Sequence, residues 1–229
     1  MATIISREIR RSSKCSIHHK KSKKIQENKR HELRYRILDI IIATCALIIS
    51  APVLLTIMLI IKCTEFKAPI FFHQKRIGRD GQAFNMYKFR TMVVDAEQQK
   101  AALAAQNEVE GHMFKMKDDP RITKIGKILR KTSLDEFPQL FNVLQGHMSV
   151  VGPRPPLPDE VVNYTSYDMA RLSVKPGCTG LWQVSGRNKL SFQEMVELDL
   201  HYIRNRSLKF NFLILMRTWR ELTGKGSGV

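Results

Sequence analysis

The stretch Ile40–Ile61, IIIATCALIISAPVLLTIMLII, contains 22 residues without a single charge. A helix needs about 20 predominantly apolar residues to cross the hydrocarbon core of a bilayer, whereas a buried core helix rarely needs so many. The run is also too long, and begins too far into the chain, for a secretory signal. The stretch therefore predicts a helix that enters a membrane.

The segments on both sides of this apolar stretch are basic. The cations are Lys29, Arg30, Arg34 and Arg36 before it and Lys62, Lys67, Lys75, Arg76 and Arg79 after it. Because Lys and Arg favour the cytoplasmic side of a membrane, both flanks are expected there. Near the centre, the Ser50-Ala51-Pro52 sequence predicts a kink, since proline removes a helical hydrogen bond and clashes with the preceding turn. We therefore predict a kinked, re-entrant helix over residues 34–64, with a straight span as the alternative.

The chain of 229 residues carries a formal charge of +17, and much of this excess lies at its start. Residues 1–36 contain 12 Lys and Arg against 3 acidic residues. So polar a segment cannot bury enough apolar surface to fold alone, and residues 1–33 are predicted to be a disordered basic tail. Its charge suits either anionic lipid or nucleic acid. Residues 1–34 lack the aromatic side chains that stack on bases, which favours lipid.

Residues 65–229 are predicted to form one small domain of helices and short strands, so the fold class of the chain is α+β, mainly helical. Residues 68–92 predict two strands joined by a turn at residues 79–81, and residues 95–110 predict a helix. Another helix is expected to begin at Ser191, which has capping-box spacing to Glu194. Residues 208–222 combine apolar and basic side chains, as in an amphipathic helix at a membrane interface; a core helix is the alternative.

The segment 130–139, RKTSLDEFPQ, places two adjacent carboxylates behind a basic pair. Ser133 and Glu136 have the spacing of a capping box, which predicts the start of a helix that ends near Gly146. Asp135 would lie in the first turn, where the positive end of the helix dipole keeps a carboxylate ionised. Such a carboxylate can cap a helix, bind a metal or act as a nucleophile that accepts a phosphoryl group. The residues alone leave these roles open.

Five cations in apolar, proline-rich or glycine-rich surroundings indicate a site for phosphates: Lys88, Arg90, Arg130, Arg154 and Arg187. Any one of them could instead be an ordinary solvated surface charge. This alternative is weaker for Arg154, because the prolines on both sides fix the backbone and would hold the guanidinium rigidly. Phosphates beside a carboxylate would also suit a divalent cation.

Four segments occur together in one order: KFRTM at 88–92, LRKTSLDEFPQL at 129–140, GHMSVVGPRPP at 146–156 and KPGCTGLWQVSGRN at 175–188. In these segments the chain resembles the bacterial sugar transferase family, the monotopic phosphoglycosyl transferases, from about Arg34 to its end. The resemblance implies an enzyme at the cytoplasmic face of the bacterial inner membrane. It would transfer a hexose-1-phosphate, galactose or glucose being favoured, from a UDP-sugar to undecaprenyl phosphate and release UMP, as the first membrane step of exopolysaccharide, capsule or O-antigen synthesis.

The resemblance also implies roles for individual residues. Asp135 would be the nucleophile that forms a covalent phosphosugar and a ligand of Mg²⁺, with Glu136 as its catalytic partner. The substrate- and phosphate-binding residues would be Lys88, Arg90, Arg130, Arg154, Arg187 and Asp199. The kink of the family is a Ser-Pro pair, which appears here as Ser50-Ala51-Pro52, so the hydrogen bonding at the bend is expected to differ.

Two other function classes compete with this interpretation. A membrane-anchored nucleic-acid-binding protein would need aromatic residues among the cations of its tail, and a membrane scaffold would need neither Arg154 nor the Asp135-Glu136 pair. The expected partners are therefore a UDP-sugar, undecaprenyl phosphate and anionic lipid, without nucleic acid. A homodimer is left open.

Overall fold

The computed structural model describes the backbone of residues 2–96, 98–99, 116, 119–186 and 190–222, and the side chains from residue 31 to residue 221 within those ranges. The chain divides into two compact units, residues 1–38 and residues 39–229. The predicted helix over residues 95–110 lies almost entirely outside the described residues.

The helices are α1 (Ala2–Thr64), α2 (Lys124–Thr132), α3 (Gln139–Gln145), α4 (Pro158–Val161), α5 (Ser166–Met169), α6 (Phe192–Asn205) and α7 (Leu208–Leu222). The strands are β1 (Phe71–Ile77), β2 (Ala83–Phe89), β3 (Ser149–Val151) and β4 (Gly177–Thr179). The prediction of a mainly helical chain with one long apolar helix and a few short strands is confirmed.

Helix α1 spans both the predicted basic tail and the apolar segment, and the domain boundary at residue 33 stays a prediction. The division between the two compact units falls between Leu38 and Asp39, inside the helix. Lys, Arg, Glu and Gln, which together are frequent in residues 1–33, all have high helix propensity.

The apolar part of α1 has two different sides. Ala43, Leu54, Ile57 and Ile61 are buried against the rest of the 39–229 unit, whereas Ile48 and Ile49 are 69% and 80% exposed. The stretch His31–Thr64 is the one described helix that is long and apolar enough to cross a membrane, by length and composition. An exposed apolar face of this size indicates contact with lipid or another apolar partner.

Helix α1 continues through Pro52 without interruption, so the proline does not divide it into two helices. The hydroxyl of Ser50 donates to the carbonyl oxygen of Ala46 at 2.7 Å, and that of Thr56 donates to the carbonyl oxygen of Pro52 at 2.9 Å. Such bonds from a side chain to the preceding turn bend helices slightly. The re-entrant course of the helix in a membrane stays a prediction.

The predicted hairpin is confirmed. Strands β1 and β2 pair antiparallel, with Phe71 opposite Phe89 and Ile77 opposite Ala83. The turn between them places Asp80 at φ 55° and Gly81 at φ 79°, the left-handed conformation that Gly and Asp tolerate best.

The second pair of strands, β3 and β4, is parallel, and the two backbones lie very close together at Gly177. Strands β3 and β4 align Ser149 with Gly177 and Val151 with Thr179. A Cβ atom on Gly177 would lie 2.1 Å from the backbone nitrogen of Gly152, so only glycine allows the two backbones to meet there. This contact holds the start of the proline-rich segment that follows β3.

The two C-terminal helices are confirmed. Ser191 and Glu194 form the capping box that begins α6. Helix α7 buries Ile214 in the core, but leaves Phe212, Met216 and Trp219 exposed beside basic residues. The helix therefore has one side in the core and one exposed side of apolar and basic residues, and its place at a membrane interface stays a prediction.

Asn142 joins α3 to the hairpin. Its side-chain oxygen accepts a hydrogen bond from the backbone N–H of Tyr87 at 2.9 Å, and its amide donates to the carbonyl oxygen of Asn85 at 2.7 Å. The residue is completely buried. It thereby satisfies the free edge of β2 and fixes the helix that follows the Asp135-Glu136 pair.

We predict that Asn142→Ala lowers the free energy of unfolding by about 3 kcal/mol, because a completely buried side chain is removed and two part-buried backbone groups lose their hydrogen-bond partner. Chemical denaturation of the detergent-solubilised protein measures this loss. Asn163→Ala is the matched control, since the exposed Asn163 amide makes a bond at the surface only and its loss should change stability by less than about 0.5 kcal/mol. Equal losses in both variants would contradict the assigned role of Asn142.

Candidate active site

Asp135 and Glu136 lie in a sharp corner between two helices. Helix α2 ends at Thr132 and is capped by Ser133, whose backbone is left-handed at φ 55°; the chain then makes one 3₁₀ turn over Leu134–Glu136 before α3. The predicted capping box is wrong: Ser133 makes no side-chain cap bond, and the carboxylate of Glu136 is engaged elsewhere. The left-handed residue costs about 1 kcal/mol, which the packing of the corner must offset.

Glu136 is paired with Lys88 of β2. The ammonium of Lys88 lies 2.7 Å from Oε1 of Glu136, in a half-buried environment. Burial alone would raise the pKa of Glu136, but the charge and hydrogen bond of Lys88, with Arg154 and Arg76, outweigh it and lower this pKa. Glu136 is therefore held as a carboxylate.

Asp135 differs from its neighbour. It is only 8% exposed, and burial raises its pKa to about 6, although Lys88 and Arg130 act in the opposite direction and Glu136 adds to the rise. The expected lowering by a helix end is thus wrong in direction, because burial dominates and the turn is only three residues long. At neutral pH the group remains mostly ionised, since the pH lies about one unit above its pKa.

Arg130 is positioned beside Asp135 by a threonine. Its Nε atom donates to Oγ1 of Thr91 at 3.0 Å, and burial, partly compensated by Asp135 and Asp119, lowers its pKa. Arg90 precedes Thr91, and its backbone N–H donates to the carbonyl oxygen of Ile70 at 2.9 Å. One nitrogen of the Arg90 guanidinium is buried and makes no hydrogen bond to a described residue.

Arg154 lies in the proline-rich segment after β3 and acts electrostatically on Glu136 and on Asp199. Its role in binding phosphate stays a prediction. Arg76 of β1, which the sequence did not single out, is buried and also lowers the pKa of Glu136. The alternation of β1 could have drawn attention to it, because Arg76 stands opposite the buried Phe84.

Asp199 is separated from solvent. It is 0% exposed, and its Oδ2 accepts bonds from Arg171 at 2.6 and 2.9 Å. Burial raises its pKa to about 6, against the effect of Arg171. Its described contacts are those of a buried ion pair between α6 and the 3₁₀ turn Ala170–Ser173. Arg171 was not identified from the sequence, and nothing in its neighbourhood there distinguishes it. Arg187 lies outside the described residues.

The donor set near Asp135 fits a metal that is shared with phosphates. Within the described ranges, no group of three or more His, Cys, Asp or Glu side chains could enclose an ion. Magnesium is commonly held by one or two carboxylates together with substrate phosphates, rather than by a cage of protein ligands. Asp135 suits this mode, because Glu136 is already engaged with Lys88.

The sequence matches the family described as "Bacterial sugar transferase" over residues 30–225. The chain belongs to the bacterial sugar transferase family. Among curated bacterial sugar transferases, galactosyl transferase CpsE of Streptococcus agalactiae serotype III is 48% identical over 199 residues, which cover 86% of this chain and 44% of that protein. Undecaprenyl-phosphate galactose phosphotransferase of Salmonella typhimurium is 44% identical, over 80% of this chain and 39% of that protein.

Some relatives in the family are of similar length to this chain. Exopolysaccharide production protein ExoY of Sinorhizobium fredii is 41% identical over 187 residues, which cover 80% of this chain and 82% of that protein. By contrast, this chain covers less than half of the galactosyl and galactose transferases named above. The family match extends over residues 30–225 and so covers the positions of the carboxylate pair and its surrounding cations in this chain.

We predict that Lys88→Met raises the pKa of both Glu136 and Asp135, because Lys88 lowers both. Carboxyl ¹³C NMR titration of the selectively labelled protein measures the two pKa values. Lys75→Met is the control: it removes an exposed lysine of β1 and should leave both titrations unchanged. A wild-type titration curve in Lys88→Met would refute the electrostatic role of Lys88.

Proposed function

We propose that this protein transfers a hexose-1-phosphate from a UDP-sugar to undecaprenyl phosphate through a covalent intermediate on Asp135. The observation that carries the proposal is the buried Asp135 carboxylate, with a pKa near 6, beside Lys88 and Arg130. A nucleophile of this kind is partly desolvated and yet ionised at neutral pH. Relatives named as undecaprenyl-phosphate galactose and UDP-glucose:undecaprenyl-phosphate glucose-1-phosphate transferases support the choice of substrates.

In the first step, a carboxylate oxygen of Asp135 attacks the phosphorus that carries the sugar. A new P–O bond forms between them, and the bond from this phosphorus to the oxygen shared with the second phosphate breaks. The electron pair leaves with that oxygen on UMP. The products are UMP and an acyl phosphate in which the hexose-1-phosphate is bound to Asp135.

In the second step, a phosphate oxygen of undecaprenyl phosphate attacks the same phosphorus. The bond to Asp135 breaks and its electron pair returns to the carboxylate, so the enzyme regains its starting state. The product is a hexose joined to the lipid through a diphosphate. Dividing the transfer in this way lets a soluble nucleotide leave before the lipid substrate reacts.

The surrounding cations stabilise the charge that develops on the phosphates. Arg130 is aimed by Thr91, Lys88 is held by Glu136, and Arg154 acts on Glu136 from the proline-rich segment. Guanidinium groups bind phosphate through paired hydrogen bonds, and donors fixed beforehand cost little reorganisation during the reaction. Glu136 therefore acts as the partner that orients Lys88 toward the reacting phosphate.

Asp135 would hold Mg²⁺ together with the phosphate oxygens of the bound UDP-sugar. When bound, the ion would supply charge neutralisation of the diphosphate and of the departing UMP. The substrate-binding roles of Arg187 and Asp199 stay predictions, and the Asp199-Arg171 ion pair also supports the fold near Arg154.

The exposed apolar sides of α1 and α7 support a location at the membrane surface, where a soluble donor and a lipid phosphate can meet. We propose that α1 is re-entrant, so that both of its basic flanks lie on the cytoplasmic face of the bacterial inner membrane. The basic N-terminal segment would bind anionic lipid, which attracts Lys and Arg near its surface.

The test is the release of UMP by the purified protein in the presence of Mg²⁺, undecaprenyl phosphate and a panel of UDP-sugars beginning with UDP-galactose and UDP-glucose. We expect release with at least one sugar, and a loss of more than about 1,000-fold in Asp135→Asn, because the nucleophile is gone. Asp159→Asn is the matched control, an exposed aspartate at the start of α4 that should keep full turnover. Full turnover in Asp135→Asn would refute the mechanism.

A further inference from the structure

Arg76 is a buried cation in an unusual environment. It lies in β1 and is 5% exposed, although charged side chains are seldom buried so deeply unless they are paired. Within the described residues, the Arg76 guanidinium makes no ion pair with a carboxylate. Its Nε is buried without a hydrogen-bond partner, and burial followed by the nearby charge of Arg154 lowers its pKa to about 10. The side chain therefore stays protonated at neutral pH in a place that costs free energy.

One of the hydrogen bonds that Arg76 donates reaches the backbone next to Arg154. Its NH1 group donates to the carbonyl oxygen of Pro155 at 3.0 Å, and its NH2 group donates to Oε1 of Gln74 at 2.7 Å. The backbone N–H of Ile77 also donates to the carbonyl oxygen of Pro156 at 3.0 Å. Strand β1 thus binds the backbone immediately after Arg154 through two hydrogen bonds.

The other side of Arg154 is held by the parallel strands. The backbone N–H of Gly177 donates to the carbonyl oxygen of Pro153 at 2.9 Å, and that of Gly152 donates to the carbonyl oxygen of Thr179 at 2.9 Å. Arg154 consequently lies between two positions, Pro153 and Pro155, whose carbonyl oxygens are both held by hydrogen bonds. With its backbone fixed, the direction of its guanidinium depends on the charges around it.

Those charges define a preferred direction. Arg76 and Arg154 repel each other and both attract Glu136, while Asp199, already paired with Arg171, also attracts Arg154. The positive charge of Arg76, which is bonded to the carbonyl oxygen of Pro155, favours side-chain conformations of Arg154 in which its guanidinium points away from Arg76. Glu136, on the side of the reacting groups, attracts the same guanidinium.

We propose that Arg76 is a positioning residue, which uses its bond to Pro155 and its charge to aim Arg154 at the phosphates of the donor. The inference rests on the proposed function for the identity of the ligand, a UDP-sugar. The aiming of Arg154 itself is a property of the protein without substrate. Arg76 does not touch the reacting atoms in this account, and its effect on the reaction passes through Arg154.

The first measurement needs no substrate. The ¹⁵N resonances of the Arg154 guanidinium, assigned by their loss in Arg154→Lys, should shift in Arg76→Gln and stay unchanged in Lys75→Gln. Lys75 is the neighbouring exposed cation of the same strand, so the control removes the same charge without the buried contacts. Unchanged Arg154 resonances in Arg76→Gln would overturn the proposal, whatever the enzyme does with UDP-sugars.

The second measurement is a double-mutant cycle on UMP release. Arg76→Gln should raise KM for the UDP-sugar about tenfold to a hundredfold, since a charged hydrogen bond to phosphate is weakened. The same substitution in Arg154→Lys should have a much smaller effect, because the residue through which it acts is already impaired. Fully additive effects would overturn the proposal. If Arg76→Gln does not fold, Arg76→Lys serves in both measurements, because it keeps the charge and loses the forked donors.

These results separate the two proposals. Shifted Arg154 resonances without UMP release from any UDP-sugar would leave the positioning role standing and refute the proposed function. If the wild type releases UMP but the Arg76 variants show unaltered Arg154 resonances and an unaltered KM, the proposed function would stand and the positioning role of Arg76 would be refuted.

Discussion

The structure around the candidate site depends on placing two adjacent carboxylates, the buried Asp135 and the half-buried Glu136, among cations. A buried carboxylate is strongly destabilising unless cations lie close to it. The chain provides them from separate elements: Lys88 from β2, Arg130 from the end of α2, and Arg154 from the segment after β3. The hairpin, the parallel strand pair and the two short helices can be understood as the scaffold that collects these charges in one place.

The balance of burial and charge is different for each carboxylate, and the proposed chemistry uses this difference. Glu136 has a direct partner in Lys88, so its pKa is lowered despite burial. For Asp135 burial prevails, and its pKa rises to about 6. Glu136 is thus paired with Lys88, whereas Asp135 remains ionised at neutral pH and is available to a substrate. The exposed apolar face of α1 suits the proposed location at a membrane surface, where a lipid phosphate would reach the carboxylates.

Features that depend on local pattern could be predicted from the sequence, and features that depend on distant contacts could not. The hairpin, the capping box at Ser191 and the apolar helix follow from turn residues, spacing and length. The capping box expected at Ser133 fails because Glu136 finds a better partner 48 residues away in Lys88. The burial of Arg76 beneath the proline-rich segment joins positions 79 residues apart, which no local pattern encodes.

The central claim is that the Asp135 carboxylate itself receives the phosphosugar. Rapid acid quenching after mixing the protein with a UDP-sugar in the absence of undecaprenyl phosphate, followed by peptide mass spectrometry, tests it most directly. The account predicts a hexose-phosphate adduct on the peptide that contains Asp135, which disappears when undecaprenyl phosphate is added before the quench. UMP release at full rate with an unmodified Asp135 peptide, or an adduct on another residue, would contradict the account.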